Sequence, residues 1–472
     1  MNILFATSEA VPFIKSGGLA DVSGSLSMAL RNRRHRCRVV LPLYEDIPRE
    51  YREQMHFVTS FNVSLSWRNQ YCGLFEMTLG GMKFYFLDNE YYFKRRGLYG
   101  FFDDAERFAF FSKAVLDMLQ YIDFRPEIIH CNDWQTALIP VYLNVFSRHM
   151  DIYRSVKVVF TIHNIQYQGA YDRNIANDVL GLPGPAASIV EYKKDVNFMK
   201  GAIQEAEAVT TVSPSYAEEI LDPYFAHGLD DLLRRKSYKL TGILNGLDYG
   251  VYDPQTDQKI YKNYSIKDLS GKAENKKELQ TSQGLNVDEK PMVIGMVGRM
   301  VSHKGMDLVR YAMHKIMAAD VQFVILGSGD YQYEKFFKEM TAYYPGRFAA
   351  YIGFDDVLAH KIYSGADVFL MPSMSEPCGL AQMISLRYGT LPIVHATGGL
   401  KDTITDLGGG DGNGYTFQTY NGDDMLGAIW RAFGDFSDKE RWKAHMETAM
   451  QCDFSWGKSA TAYIQLYREL IG

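Results

Sequence analysis

The 472 residues suffice for two or three domains of ordinary size, and a composition of 47% hydrophobic and 22% charged residues is that of a globular chain with a sizeable core. A net charge of −6 supplies no electrostatic reason to bind nucleic acid or an anionic membrane, and no apolar run is long enough to span a bilayer. Five scattered cysteines, Cys37, Cys72, Cys131, Cys378 and Cys452, form neither a C-x-x-C pair nor a His/Cys cluster, which argues against a zinc ribbon or a disulfide scaffold. With an N-terminus too polar for a signal peptide, this predicts a cytoplasmic protein. The 32 tyrosines and 28 phenylalanines suit a protein that stacks on flat ligands such as sugar rings, but composition alone favours ordinary core filling.

In chain order, residues 2–6 are a short apolar run, 15–18 a glycine-containing loop, 19–30 carry helical spacing, and 38–42 are a second β-type run. This is a βαβ unit, so a parallel sheet covered by helices is expected. Arg31, Arg33, Arg34, Arg36 and Arg38 are expected at the end of that helix, where cations complement its dipole on a solvated face. Further strands are predicted over 127–130, 157–162 and 208–212, followed by polar loops at 131–134, 163–169 and 213–215. The last of these reads Ser-Pro-Ser, a helix start. Ligands of such sheets bind beyond the carboxyl ends of the strands, so these loops are candidate site loops before any motif is considered. The pattern breaks after Gly246: residues 249–257 are turn-rich, and 267–290 are charged and without a strand. Alternation resumes with strands at 291–298, 321–326, 349–352, 368–371 and 391–394, and helices after Lys304, Asp356, Gly379 and Lys401. The fold class is therefore α/β, with two Rossmann-like domains of similar size and a hinge near residues 246–252.

Two loops combine glycine with charge. In Lys15-Ser16-Gly17-Gly18 the paired glycines allow a close backbone approach at a helix N-terminus, and Lys15 adds a full positive charge; a tight turn and a phosphate cradle both account for it. Neither G-x-x-x-x-G-K-[ST] nor G-x-G-x-x-G is present there, which removes support for ATP hydrolysis and dinucleotide redox chemistry. Arg299 ends one strand and Lys304 opens the next helix. They are expected to face solvent, either as a diphosphate clamp or as two surface cations. Glu376-Pro377-Cys378-Gly379-Leu380 exposes backbone N–H groups beside a carboxylate. That carboxylate either binds sugar or ribose hydroxyls or satisfies the helix dipole.

Ten ordered segments carry a family resemblance: KSGGLADV at 15–22, HCNDWQTAL at 130–138, TIHNIQYQG at 161–169, TVSPSYAEEI at 211–220, NGLD at 245–248, GKAENKKELQ at 271–280, GRMVSHKGMDL at 298–308, EPCGLAQM at 376–383, YGTLPIVHATGGLKDT at 388–403 and DFSW at 453–456. In these the chain resembles the bacterial glycogen synthases and plant starch synthases, retaining glucosyltransferases of GT-B type. The resemblance implies two Rossmann-like domains facing an interdomain cleft: an acceptor-side domain at 1–248, a nucleotide-sugar domain at 249–456, and a C-terminal helix at 457–472 crossing back to the first. It implies transfer of glucose from ADP-glucose to the non-reducing end of an α-1,4-glucan, glycogen or maltooligosaccharide, with neither metal nor cofactor.

Residue by residue, it implies that Lys15, Gly17 and Gly18 lie against diphosphate and glucose, and Asp21 near ribose or phosphate. Asp133 and His163 face the reacting sugar, and Asn245 lines the same pocket. Arg299 and Lys304 bind phosphate, Glu376 binds glucose hydroxyls, and Phe354 stacks on the base. Cys378, Gly379 and Leu380 complete the donor site, the last two through backbone N–H groups. The implied catalytic set is Lys15, His163, Arg299, Lys304 and Glu376. Ser16 stands where the family usually has Thr, and Ile384 where many GT-B enzymes carry a second glutamate. A sugar-contacting tyrosine is either Tyr92 or Tyr99. No acid pair suited to glycoside hydrolysis is evident, so the expected route is front-face displacement with the leaving diphosphate taking the acceptor proton. Two rivals stand beside this reading: another GT-B enzyme (a sucrose- or trehalose-type synthase or a phosphorylase), and a catalytically silent glucan-binding protein. Retention of Lys15, Arg299, Lys304 and Glu376 weighs against the second.

Overall fold

A computed structural model describes residues 1–472, which fall into two units: Met1–Gly246 with Trp456–Gly472, and Leu247–Ser455. The first unit is built from β1 (Asn2–Ala6), β2 (Arg36–Pro42), β3 (His56–Leu65), β4 (Arg68–Leu79), β5 (Met82–Asp88), β6 (Ile128–Asn132), β7 (Lys157–Ile162), the short β8 (Ala170–Tyr171), β9 (Glu191–Tyr192) and β10 (Asp195–Asn197), then β11 (Ala208–Thr211) and β12 (Leu240–Gly242). Nine of these form one sheet in the order β12-β11-β7-β6-β1-β2-β5-β4-β3, and β8-β10-β9 form a small separate sheet. Strands from β12 through to β5 run parallel, while β5, β4 and β3 are joined antiparallel. Apart from the edge strand β12, the parallel strands are largely buried, as a sheet covered on both faces requires. In contrast, β3 alternates exposed and buried residues from Ser60 to Leu65, the mark of one solvated face.

The antiparallel edge is absent from the sequence-based expectation, which continued the parallel pattern. The arginine cluster also divides differently. Only Arg31 lies in the last turn of the helix Gly18–Asn32. Arg36 and Arg38 belong to β2, where Arg38 stacks over Phe124 at 4.3 Å. Arg33 donates to the Gly457 carbonyl at 2.8 Å and to Thr461 at 2.5 Å, tying the helix Trp456–Ile471 to this unit. That helix also brings Tyr467 to the buried His130, 2.6 Å from its Nδ1. The arginines are thus shared among a helix end, a strand and a helix–helix contact, which a run of charges cannot reveal.

The second unit contains β13 (Met292–Val297), β14 (Val321–Gly327), β15 (Phe348–Ile352), β16 (Val368–Met371), β17 (Leu391–His395) and β18 (Tyr415–Phe417), all parallel in the order β15-β14-β13-β16-β17-β18. Its core runs from Met292 and Ile294 through Phe323, Val368 and Ile393 to Ile429 and Trp442. Lys401 lies inside the helix Gly398–Thr403 rather than before it. The charged stretch after residue 267 holds the helix Ser270–Ser282, two of whose lysines point inward: Lys272 donates to the Ser364 and Ala366 carbonyls and to Thr390, and Lys276 pairs with Asp367 at 2.7 Å. Burial lowers the Lys272 ammonium to about 7. No helix is long and apolar enough to cross a membrane.

Candidate active site

Strand order locates the chemistry in each unit. From β1 the first sheet extends to β2 on one side and β6 on the other; from β13 the second extends to β14 on one side and β16 on the other. Each is a topological switch point, where the loops beyond the carboxyl ends of neighbouring strands diverge and leave a crevice. The residues singled out from sequence follow these strands: the Lys15 loop after β1, Asp133 after β6, Arg299 and Lys304 after β13, and Glu376 after β16.

In the first unit residues 15–18 are exposed, and Gly18 opens the helix. Gly17 has extended backbone (φ −159°), and a Cβ there would meet nothing within 4 Å. Local packing therefore does not demand glycine; its bare backbone leaves the approach to the helix N-terminus open. Lys15 pairs with Asp21 at 2.8 Å, its side chain 41% exposed. Beneath the loop lies Glu9, which the sequence reading passed over. Its carboxylate is 3% exposed and accepts from the Ser16 N–H (2.5 Å), the Ser16 hydroxyl (3.0 Å), the Gly17 N–H (3.3 Å) and the Tyr99 hydroxyl (3.1 Å). Burial raises its pKa against these donors. Tyr99 also meets the Ser8 hydroxyl at 2.7 Å, whereas Tyr92 donates to Glu106 at 2.5 Å. Of the two tyrosines left open, Tyr99 is the one that shares partners with the Lys15 loop.

Asp133 has φ 56° and ψ −179°, a region sparsely populated by residues with a side chain. It is held there by its N–H on the Thr161 carbonyl (3.0 Å) and by its carboxylate, which accepts from the His163 N–H (2.8 Å) and the Asn164 N–H (3.4 Å). Burial pushes the Asp133 carboxyl up to about 7, with a further rise from Glu9. Burial takes His163 down to about 3, so the ring is neutral at physiological pH. His163 Nε2 lies 2.9 Å from Asn132 Oδ1; a neutral ring donating there leaves Nδ1 as an acceptor. Asn245 is buried, and its Oδ1 has no hydrogen-bond partner.

In the second unit Lys304 and Glu376 meet directly, Nζ to Oε2 at 2.6 Å, with side chains 25% and 9% exposed. This corrects the expectation that Lys304 faces solvent: the cation lies against a carboxylate from the next strand's loop. Arg299 is exposed, as expected, and enters no ion pair. Ser373, unremarked in the sequence, donates to Glu376 Oε2 at 3.0 Å, and its carbonyl lies 2.8 Å from His395 Nδ1. The Gly399 N–H reaches the Glu376 carbonyl at 3.0 Å, and a Cβ on Gly399 would fall 2.1 Å from the Cys378 carbonyl oxygen, so this crossing demands glycine. Gly379 has φ 73°, and Gln382 donates to the Cys378 and Gly379 carbonyls, both at 3.0 Å. Leu380 precedes the helix Ala381–Arg387, whose first-turn N–H groups have no carbonyl of their own helix to bond. Burial, then Lys304 and Arg299, hold the His303 imidazole below its ordinary value. Phe354 stands 87% exposed just beyond β15.

Two parallel-sheet units, each with charged loops at its switch point, define the class: a glycosyltransferase of GT-B fold. Residues 2–235 match the family model of the starch synthase catalytic domain, and 277–447 that of glycosyl transferases group 1. A glycogen synthase from Clostridium botulinum (strain Alaska E43 / Type E3) is 49% identical over 475 aligned positions, covering 100% of this chain and 99% of that protein. The structure of the catalytic domain of starch synthase IV from Arabidopsis thaliana, bound to ADP and acarbose, is 33% identical with a TM-score of 0.92, covering 100% of this chain and 99% of its own. Sucrose-phosphate synthase from Thermosynechococcus elongatus shares the fold at 16% identity and a TM-score of 0.62, over 99% of this chain and 98% of its own. The chain belongs to the glycogen synthase family.

Proposed function

We propose that this glycogen synthase transfers glucose from ADP-glucose to the non-reducing end of an α-1,4-glucan with retention of the α configuration. The observation that carries the reading is the Lys304–Glu376 pair at the switch point of the second sheet. It joins a cation suited to phosphate with a carboxylate suited to sugar hydroxyls. Paired with Lys304, Glu376 does not repel a diphosphate as a lone carboxylate would. The ADP and acarbose bound by the Arabidopsis relative support a nucleoside diphosphate and a glucan as the two substrates.

In this reading Arg299 and Lys304 take the diphosphate, together with the N–H groups at Gly379 and Leu380. Glu376 takes glucose hydroxyls, Cys378 completes the loop, and Phe354 stacks on adenine. In the first unit Lys15, Gly17, Gly18 and Asp21 form an anion-binding loop, while Asp133, His163, Asn245 and Tyr99 address the sugar. The acceptor's 4-hydroxyl attacks the anomeric carbon from the face that the diphosphate leaves. The C1–O bond to phosphate breaks, the new C1–O4 bond forms, and a phosphate oxygen of the departing ADP takes the hydroxyl proton. The cations stabilise the charge gathering on that phosphate. His163, neutral with Nδ1 free to accept, contributes hydrogen bonding rather than charge.

Release of ADP from ADP-glucose, measured with and without glycogen, tests this directly. Glycogen-dependent release with chain elongation is expected; glycogen-independent hydrolysis, or no release, overturns it.

A further inference from the structure

We infer that Glu9 is a positioning residue for the transfer reaction, holding the Lys15–Gly18 loop and the Tyr99 hydroxyl in one arrangement. The inference rests on the glucan-synthase reading only for what that arrangement serves. Glu9 is buried and has no ion-pair partner, because the neighbouring cation, Lys15, is taken by Asp21. Its charge is met by four donors alone: two backbone N–H groups and a hydroxyl of the Ser16–Gly17 turn, and the Tyr99 hydroxyl. All converge on one carboxylate just beyond β1, yet Tyr99 lies 90 residues along the chain from Glu9. A carboxylate is the side chain that accepts from all four at once without donating.

The Tyr99 side of this bridge is itself rigid. Asp104 accepts from the N–H groups of Gly100 (2.8 Å) and Phe101 (3.2 Å), and the buried Arg107 donates to the carbonyls of Tyr92 (2.8 Å) and Leu98 (3.1 Å). Arg95 and Asp103 pair through two bonds of 2.6 and 2.7 Å. The 92–103 segment is therefore clamped before Glu9 acts. The Lys15–Gly18 loop has no comparable clamp: it is exposed, and its side-chain ties are the Lys15–Asp21 pair and the bonds of Ser16 and Gly17 to Glu9. Glu9 transmits the rigidity of the first segment to the second. With all its lone pairs on the outer oxygens engaged, it has no direct part in the reaction; it sets where the loop's N–H groups and Lys15 point.

Substituting Glu9 separates shape from charge. In Glu9→Gln one amide oxygen can still accept from Ser16 and Gly17, while the amide N–H groups donate to hydroxyls that are free to accept instead. This variant is expected to keep at least a third of wild-type kcat with KM for ADP-glucose raised less than threefold. Glu9→Ala loses every bond; it should lower kcat at least thirtyfold and speed amide exchange at Ser16 and Gly17 at least tenfold, with exchange in β6 and β7 unchanged. A base or substrate ligand would instead show equal loss in Gln and Ala, which overturns the proposal. So does unaltered exchange at Ser16 and Gly17 in Glu9→Ala. The exchange arm needs no turnover. A wild-type chain inactive on ADP-glucose and glycogen therefore sinks the functional reading while leaving the Glu9 assignment to be decided by exchange alone.

Discussion

Removing the Lys304 ammonium should cost the protein stability as well as activity, and the two losses can be separated. The 2.6 Å contact joins a carboxylate 9% exposed to an ammonium 25% exposed. At an effective dielectric of about 20 the bare attraction at that distance is roughly 6 kcal/mol, most of which offsets desolvation of the two groups. Breaking a buried pair from one side costs about 3–5 kcal/mol, because the remaining charge is stranded. Here Ser373 still donates to the same Glu376 oxygen and Lys304 is partly hydrated, so about 2–3 kcal/mol is the expected penalty for Lys304→Ala. For a unit of this size that lowers its unfolding midpoint by about 4–12 °C. Arg299→Ala, at an exposed site without an ion pair, should stay within about 0.5 kcal/mol of wild type. Adding Glu376→Gln to Lys304→Ala removes the stranded charge and should recover most of the lost midpoint without restoring turnover. Both single cation variants should lose about 2–4 kcal/mol of transition-state binding in kcat/KM. Scanning calorimetry on the four proteins, with matched kinetics, checks the scheme. Equal midpoints for Lys304→Ala and Arg299→Ala, or no recovery in the double variant, would refute the stranded-charge argument.

ADP-glucose should exceed UDP-glucose at least tenfold in kcat/KM, a gap of about 1.4 kcal/mol, and the gap should narrow in Phe354→Ala; competition between the two donors measures it, and a UDP-glucose preference overturns the donor assignment. Turnover should survive EDTA if, as proposed, Arg299 and Lys304 give the diphosphate its countercharge; activity lost to EDTA and restored only by Mg²⁺ contradicts this. Asp133, raised by burial to about 7, keeps its proton in the folded state where the unfolded chain has already lost it. The folded state then binds more protons between about pH 4 and 7, so this group's stabilising contribution is present at the acid end, falls as pH rises, and levels off above 7, a change on the order of 4 kcal/mol. Asp133→Asn should flatten that part of the midpoint-against-pH curve, and an unchanged slope would mean that another group carries it.

The alternation of buried apolar runs with helices was legible over both units because parallel strands covered on two faces leave unbroken hydrophobic segments, as in Met292–Val297 and Leu391–His395. The antiparallel edge was not. Strands such as β3 carry Ser and Asn on their solvated face, and what identifies them is cross-strand pairing, for example Tyr71 with Asn62, rather than any local run. The helix Ser270–Ser282 was hidden for a related reason. In sequence it is only a charged stretch without a strand, yet Lys272 and Lys276 reach carbonyls and a carboxylate supplied by segments about 90 residues away.

The site divides along the same line. Lys15, Arg299, Lys304 and Glu376 were visible because charge in a loop after a predicted strand is a local signal, and Asp133 through the family resemblance; strand order then sets each beside a switch point. What stayed hidden is how these charges are held. Glu9 sits in a Ser-Glu-Ala stretch without a motif of its own, and only folding brings it under Ser16 and Gly17 and against Tyr99. Ser373 and Glu376 meet because the chain doubles back within three residues, and Lys304 meets Glu376 because β13 and β16 are neighbours despite the two strands between them in sequence. A loop cation without a partner nearby in sequence can thus carry a carboxylate partner in the fold, as Lys304 does with Glu376. An anionic ligand must then compete with that partner or share the cation with it. In the proposed site Arg299, which has none, is the cation that meets the ligand first, and its loss should weaken the encounter more than the architecture.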